Sequence, residues 1–110
     1  MINSKNEWDP IEEIVVGIAD YANWPSDDPV FSRESKKTTW KETPVPAGAV
    51  PQHIIDESNE DLDILANTFI QYGAKVHRPT PINFVETQGM YNYCPRDRLL
   101  IAGSRVVDCS

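Results

Sequence analysis

The residues best suited to chemistry lie in the stretch YNYCPRDRLLIAG, residues 91–103. Within it, Asp97 comes just before an apolar run, so its carboxylate could face a cleft at the mouth of a strand. Such a carboxylate could bind a guanidinium group in a bidentate manner, because the guanidinium is planar and forked. The local sequence by itself favours a simpler role, in which Asp97 caps a turn or pairs with Arg96 or Arg98.

The two cysteines are weaker candidates. Arg96 lies two residues after Cys94 and could support a thiolate, but a nucleophile also needs a base and an oriented partner. The chain has two histidines, His53 and His77, and the sequence places neither of them near Cys94. We therefore expect Cys94 to be a small buried side chain, and nothing in the sequence supports a role for Cys109.

Composition and charge exclude several classes of function. A formal net charge of −7 makes nucleic-acid phosphate a poor partner. The two cysteines provide neither a disulfide framework nor a metal-binding spacing, and the five glycines form no phosphate-binding loop, so no cofactor or metal is expected. The N-terminus lacks the apolar core of a signal peptide, and no run is long enough to span a membrane. These features predict a reduced, soluble, cytoplasmic protein that is at most one small domain, or part of a larger one.

Five elements would have to position these residues, in the order strand, helix, strand, strand, strand. They are predicted at residues 14–18, 51–73, 74–79, 98–103 and 105–109. The last two strands form a hairpin with a tight turn at Gly103-Ser104. A helical crossover together with a hairpin indicates an α/β unit with a mixed sheet.

The first strand is β-branched and nearly continuous, which predicts burial on both faces. Gly17 inside it suggests a close backbone approach or a bulge. The segment 20–50 contains four prolines and no periodic pattern, so it is predicted to be a long Pro-rich loop. Trp24, Phe31 and Trp40 would anchor parts of this loop. Residues 80–90 are also expected to be a loop.

The helix is amphipathic, with Pro51 near its start and Gly73 as its stop. Its acidic residues lie in the N-terminal half, where the helix dipole favours them, so they are expected to be a solvated face and not a metal site. The predicted inner face consists of Ile55, Leu62, Leu65, Ala66 and Phe69.

Several stretches resemble the amidinotransferases, a family that includes the glycine and the inosamine-phosphate amidinotransferases. NEWDPIEEIVVG at residues 6–17 is similar to the opening of these enzymes. AKVHRPTPINF at 74–84, YCPRDRLLIAG at 93–103 and the strand VVDC agree with later segments, in the same order. The combination of the first motif with Pro-Arg-Asp is specific. The resemblance covers nearly the whole chain and is weakest at 21–50.

The resemblance implies the pentein fold, a propeller of five α/β modules around a central active site. It implies transfer of an amidino group from arginine to an acceptor amine through a cysteine-bound intermediate, with a histidine and an acidic partner as acid and base. The residue matching the guanidinium-binding aspartate is Asp97. Neither Cys94 nor Cys109 matches the family nucleophile.

The chain is accordingly expected to be an N-terminal module, residues 1–110, that does not turn over alone. The alternative is a non-catalytic module that binds a guanidinium compound or docks onto a partner chain. In either case its exposed module faces could drive self-association. The sequence does not choose among glycine, an aminocyclitol or another acceptor amine.

Overall fold

The computed structural model describes residues 2–6, 8–25, 28–38, 41–42 and 44–109. The predicted anchoring role of Trp40 lies outside these ranges. The helices are α1 (Pro29–Thr38), α2 (Gln52–Gln71) and α3 (Phe84–Thr87), with a 3-10 helix at Pro95–Asp97. The strands are β1 (Glu13–Val15), β2 (Asn23–Trp24), β3 (Gly48–Ala49), β4 (Lys75–His77), β5 (Leu99–Ala102) and β6 (Arg105–Asp108).

The described residues form three separate two-stranded sheets, where the sequence predicted one mixed sheet. Strands β1 and β4 pair in parallel, with Ile14 opposite Val76, and α2 lies in the connection between them. Such a crossover is what a parallel pair requires. Strands β5 and β6 form the predicted antiparallel hairpin around Gly103, whose φ of 61° suits a glycine at the turn. The α/β class is therefore confirmed, and the single sheet is not.

The first strand is shorter than predicted and is not buried on both faces. It covers Glu13–Val15, and Val15 is 49% exposed. The buried part follows the strand, where Val16, Ile18 and Ala19 are each at most 8% exposed. The backbone leaves β4 at this point. Val16 N still donates to His77 O at 3.0 Å, whereas Ile18 N donates to Asn92 O at 3.1 Å.

The segment 20–50, predicted to be a loop without periodic structure, contains a ten-residue helix and two short strands. Helix α1 begins after Asp28, whose Oδ1 accepts from the backbone N–H of Val30 and of Phe31, each at 2.8 Å. Pro29 occupies the first helical position, where its missing N–H costs nothing. Asp28 followed by Pro29 is a typical helix start. The high number of prolines in the segment nevertheless led to the prediction of a loop.

Residues 80–90 are also not a simple loop, because they contain the short helix α3. Asn83 Oδ1 accepts from Glu86 N at 3.3 Å and caps its first turn. The long helix α2 agrees with its prediction, and Ile55 and Ala66 are buried on its inner face. Leu65, predicted on that face, is 45% exposed. The acidic side chains at positions 56, 57, 60, 61 and 63 are exposed, as predicted.

The core of the described chain is small. Its most buried apolar side chains are short ones, including Val16 at 3%, Ala19 at 3% and Ala22 at 4% exposed. The radius of gyration is 16.0 Å, whereas a compact domain of this size has a value of about 13 Å. Every residue of β6 is exposed, so the hairpin adds little to this core.

Candidate functional site

Asp97 lies at the end of the 3-10 helix and directly before the β5 hairpin strand. Pro95, with its fixed φ, begins the turn. The Asp97 N–H then donates to the Cys94 carbonyl at 3.0 Å, and the Arg98 N–H donates to the Pro95 carbonyl at 3.2 Å. The Asp97 side chain is 49% exposed. The structure therefore places this carboxylate at the mouth of a strand, half open to solvent.

The arginines beside Asp97 do not occupy its carboxylate in a strong pair. Arg98 instead faces Asp108 across the hairpin, with Nε to Oδ1 at 3.2 Å and Nη2 to Oδ2 at 3.3 Å. Arg96 Nε lies 3.9 Å from Asp97 Oδ1, and the Arg96 side chain is 92% exposed. An exposed pair at that distance contributes little.

The contact that orients Asp97 comes from Tyr91. Its Oη donates to Asp97 Oδ2 at 3.3 Å, and its ring stacks on Tyr93 with centroids 4.1 Å apart and planes inclined by 21°. Burial, with the nearby Tyr93 and Asp97, raises the pKa of Tyr91 to about 12. Burial also raises the pKa of Tyr93. The Tyr91 phenol is therefore neutral at physiological pH and acts as a donor to the carboxylate.

A groove of about 370 Å³ is lined in part by the tyrosine pair. Asn23, which is 4% exposed, joins two segments that line this groove. Its side chain donates to Gly89 O at 2.9 Å, and its backbone N–H donates to Met90 O at 2.7 Å. The lining is mostly apolar and includes Trp24, Phe31, Val50, Ile54, Met90, Tyr91 and Tyr93. Trp24 and Phe31, predicted to anchor the 20–50 segment, thus both line this groove.

The backbone that carries the tyrosines rests on the end of β1. A β-carbon on Gly17 would overlap with the Tyr93 carbonyl, so glycine is required there, which confirms the predicted close approach. The Arg78 side chain also contacts Gly17, because its Nη2 donates to the Gly17 carbonyl oxygen at 3.0 Å. Sequence reasoning missed both Tyr91 and Arg78. The aromatic residues of the YNYC run were visible, but no local pattern connects Arg78 with Gly17.

The cysteines and histidines do not form a catalytic group in the described chain. Cys94 is half-buried, where the sequence predicted a buried side chain, and Cys109 is exposed. His77 Nε2 lies 2.7 Å from Glu13 Oε2, across the β1–β4 pair, and His53 is exposed on α2. No hydrogen bond joins either histidine to Cys94 among the described residues.

The described ranges also lack a metal-binding cluster and a membrane-spanning helix. They contain no group of three or more His, Cys, Asp or Glu side chains that could hold a metal ion. No helix in them is both long enough and apolar enough to cross a membrane.

Comparison with known proteins shows a consistent similarity. The chain is 35% identical to inosamine-phosphate amidinotransferase 1 of Streptomyces griseus, over 98% of this chain and 34% of that protein. It is 32% identical to the mitochondrial glycine amidinotransferase of Xenopus tropicalis, over 96% of this chain and 27% of that protein. No family model matches the chain.

Solved structures give the same result. The inosamine-phosphate amidinotransferase of Streptomyces griseus superposes with a TM-score of 0.70 at 26% identity, over 98% of this chain and 34% of that one. An amidinotransferase of the saxitoxin biosynthetic pathway from Microseira wollei gives a TM-score of 0.72, over 97% of this chain and 32% of that one. The chain thus spans about a third of the length of the relatives it matches.

Proposed function

Because this chain is related to the amidinotransferases over 98% of its length, we propose that it is one module of such an enzyme and that Asp97 binds the guanidinium of arginine. The observation that carries the proposal is the placement of Asp97. Its carboxylate is half exposed at the end of a short turn, and a neutral phenol holds one of its oxygens. Its sequence neighbours leave it accessible to a cationic ligand.

This geometry suits the first requirement of amidino transfer. The guanidinium must stay charged so that its carbon remains electrophilic, and it must be held still while a nucleophile approaches. A fixed carboxylate meets both needs, because it stabilises the cation and orients its plane. Tyr91 restricts the rotation of Asp97 by donating to Oδ2.

The rest of the reaction is proposed to use residues outside these 110. A cysteine thiolate forms a bond to the guanidinium carbon, and the bond from that carbon to the side-chain nitrogen of arginine breaks. Ornithine leaves with a proton from a histidine that an acidic residue supports. An acceptor amine then gives a proton to the same histidine, bonds to the amidino carbon and displaces the cysteine thiolate. Cys94 and Cys109 are not assigned as that nucleophile, so the chain alone is not expected to turn over.

The architecture is proposed to be one α/β module of a pentein-type propeller. The parallel β1–β4 pair with α2 in its crossover, followed by the β5–β6 hairpin, supports this proposal. The TM-scores of 0.70 and 0.72 show that these elements are arranged as in a part of known amidinotransferases.

A second candidate is a non-catalytic module that binds a guanidinium compound and acts only with a partner chain. The exposed apolar hairpin favours it, because Leu100 is 56% exposed, Val106 44% and Val107 45%. Surfaces of this kind are usually covered in a functional assembly. The same surface would allow copies of the isolated chain to associate.

Calorimetric titration of the chain with arginine tests the role of Asp97. We expect saturable binding that Asp97→Asn abolishes and that Asp61→Asn, a matched change on the exposed face of α2, leaves intact. If Asp97→Asn bound arginine as tightly as the parent does, Asp97 would not be part of the binding site. Adding a chain that supplies the remaining segments of an amidinotransferase separates the two candidates, since turnover is expected only for the enzyme module.

A further inference from the structure

Arg78 connects the long helix to the backbone beneath the candidate site. Its Nη1 donates to Asp63 Oδ1 on α2 at 2.6 Å, and its Nη2 donates to the Gly17 carbonyl at 3.0 Å. The Arg78 side chain is 30% exposed. Neither of these contacts involves Asp97, and the one that leads toward the candidate site is the contact with Gly17.

Gly17 in turn supports the segment that carries the two tyrosines. The Tyr93 carbonyl packs directly against the Gly17 α-carbon, and Ile18 N donates to Asn92 O at 3.1 Å. Tyr91 and Tyr93 flank Asn92, and their stacked rings place the Tyr91 phenol 3.3 Å from Asp97 Oδ2. A shift of the Gly17 backbone would therefore move the donor that orients Asp97.

We propose that Arg78 is a positioning residue for the guanidinium site, which fixes the Gly17 carbonyl and through it holds the Tyr91 phenol beside Asp97. The expected effect of Arg78 on arginine binding rests on the proposed function of Asp97. Its expected effect on the position of the Tyr91 phenol does not. Arginine suits the position because its planar fork donates to two separate acceptors at once. A lysine ammonium can reach either Asp63 or Gly17 but lacks that fixed geometry.

The test uses two independent readouts on the 110-residue chain. The first is an ultraviolet titration of the phenols, in which Tyr91→Phe identifies the transition that belongs to Tyr91, expected near its pKa of about 12. The second is calorimetric titration with arginine. Arg33→Gln is the control, because Arg33 makes an exposed pair with Glu34 on α1 at 2.9 Å and does not touch the site.

We expect Arg78→Gln to lower the pKa of the Tyr91 phenol toward its ordinary value of 10.0 and to weaken arginine binding several-fold. The pKa falls because Tyr91 loses burial and its contact with Asp97. Arg33→Gln should change neither readout. Asp63→Asn, which keeps the Gly17 contact, should have a smaller effect than Arg78→Gln.

A folded Arg78→Gln variant with the phenol titration of the parent would overturn the proposal. If Arg78→Gln loses cooperative unfolding, Arg78→Met, which keeps an apolar stem but removes both donors, decides in its place, and a Tyr91 transition unchanged from the parent again counts against the role. If the parent binds no arginine but Arg78→Gln still shifts the Tyr91 transition, the guanidinium function fails while the positioning role of Arg78 stands.

Discussion

Gly17 and Tyr93 approach so closely that a β-carbon on Gly17 would overlap with the Tyr93 carbonyl oxygen. The two residues are far apart in the sequence, yet this contact sets the backbone of residues 91–93 against the end of β1. Through the Tyr91 phenol it also sets the surroundings of Asp97. The packing of one glycine is thus part of the candidate site.

This relationship predicts that Gly17→Ala destabilises the chain. An added methyl group at a site already in contact with backbone forces a local shift, which costs about 1–3 kcal/mol of unfolding free energy. Chemical denaturation measures the loss. Gly48→Ala is the control, because its β-carbon would meet nothing within 4 Å and only its φ of 86° is unfavourable. A smaller loss at Gly17 than at Gly48 would contradict the packing argument.

The stability of the chain should depend on Glu13 in acid. Its hydrogen bond with His77, together with Lys75, lowers the pKa of Glu13 from 4.5 to about 2. The folded state therefore holds fewer protons than the unfolded state between these values. The contribution of Glu13 is present above pH 4.5 and is lost as the pH falls toward 2.

The measurement is the free energy of unfolding as a function of pH for the parent and for Glu13→Gln. The difference between the two should be largest near neutral pH and should shrink through the acid range. His77→Gln removes the hydrogen-bond partner at 2.7 Å and should reproduce part of the effect. A difference that is constant with pH would show that Glu13 does not titrate as stated.

The β5–β6 hairpin should make the isolated chain self-associate. Leu99, Leu100, Val106 and Val107 are between 39% and 56% exposed on it, and such an apolar surface favours association. Val107→Lys should shift the mass measured by light scattering toward the monomer. Ile64→Lys, at a similarly exposed apolar position on α2, is the control and should have less effect. A parent chain that is already monomeric at high concentration would contradict this prediction.

Short-range chemistry in the sequence determined much of the local structure. The apolar spacing and Gly73 predicted α2, the Gly103-Ser104 pair predicted the hairpin, and the apolar run after Asp97 predicted a carboxylate at the mouth of a strand. Each feature depends on residues within a few positions of one another, so periodicity and turn propensities suffice to find it.

Only the tertiary structure decided which of these pieces meet. Among the described residues, β1 pairs with β4 and the chain then turns toward Asn92, a choice set by the competition among distant backbone partners. The bond between Arg78 and Gly17 joins residues 61 positions apart, and no local pattern encodes it. The sequence thus made Asp97 a candidate through its resemblance to a known family, while long-range packing brought Tyr91 beside it and joined Gly17 to Arg78 and to the segment that carries Tyr91. Those contacts exist only once the separate elements have come together.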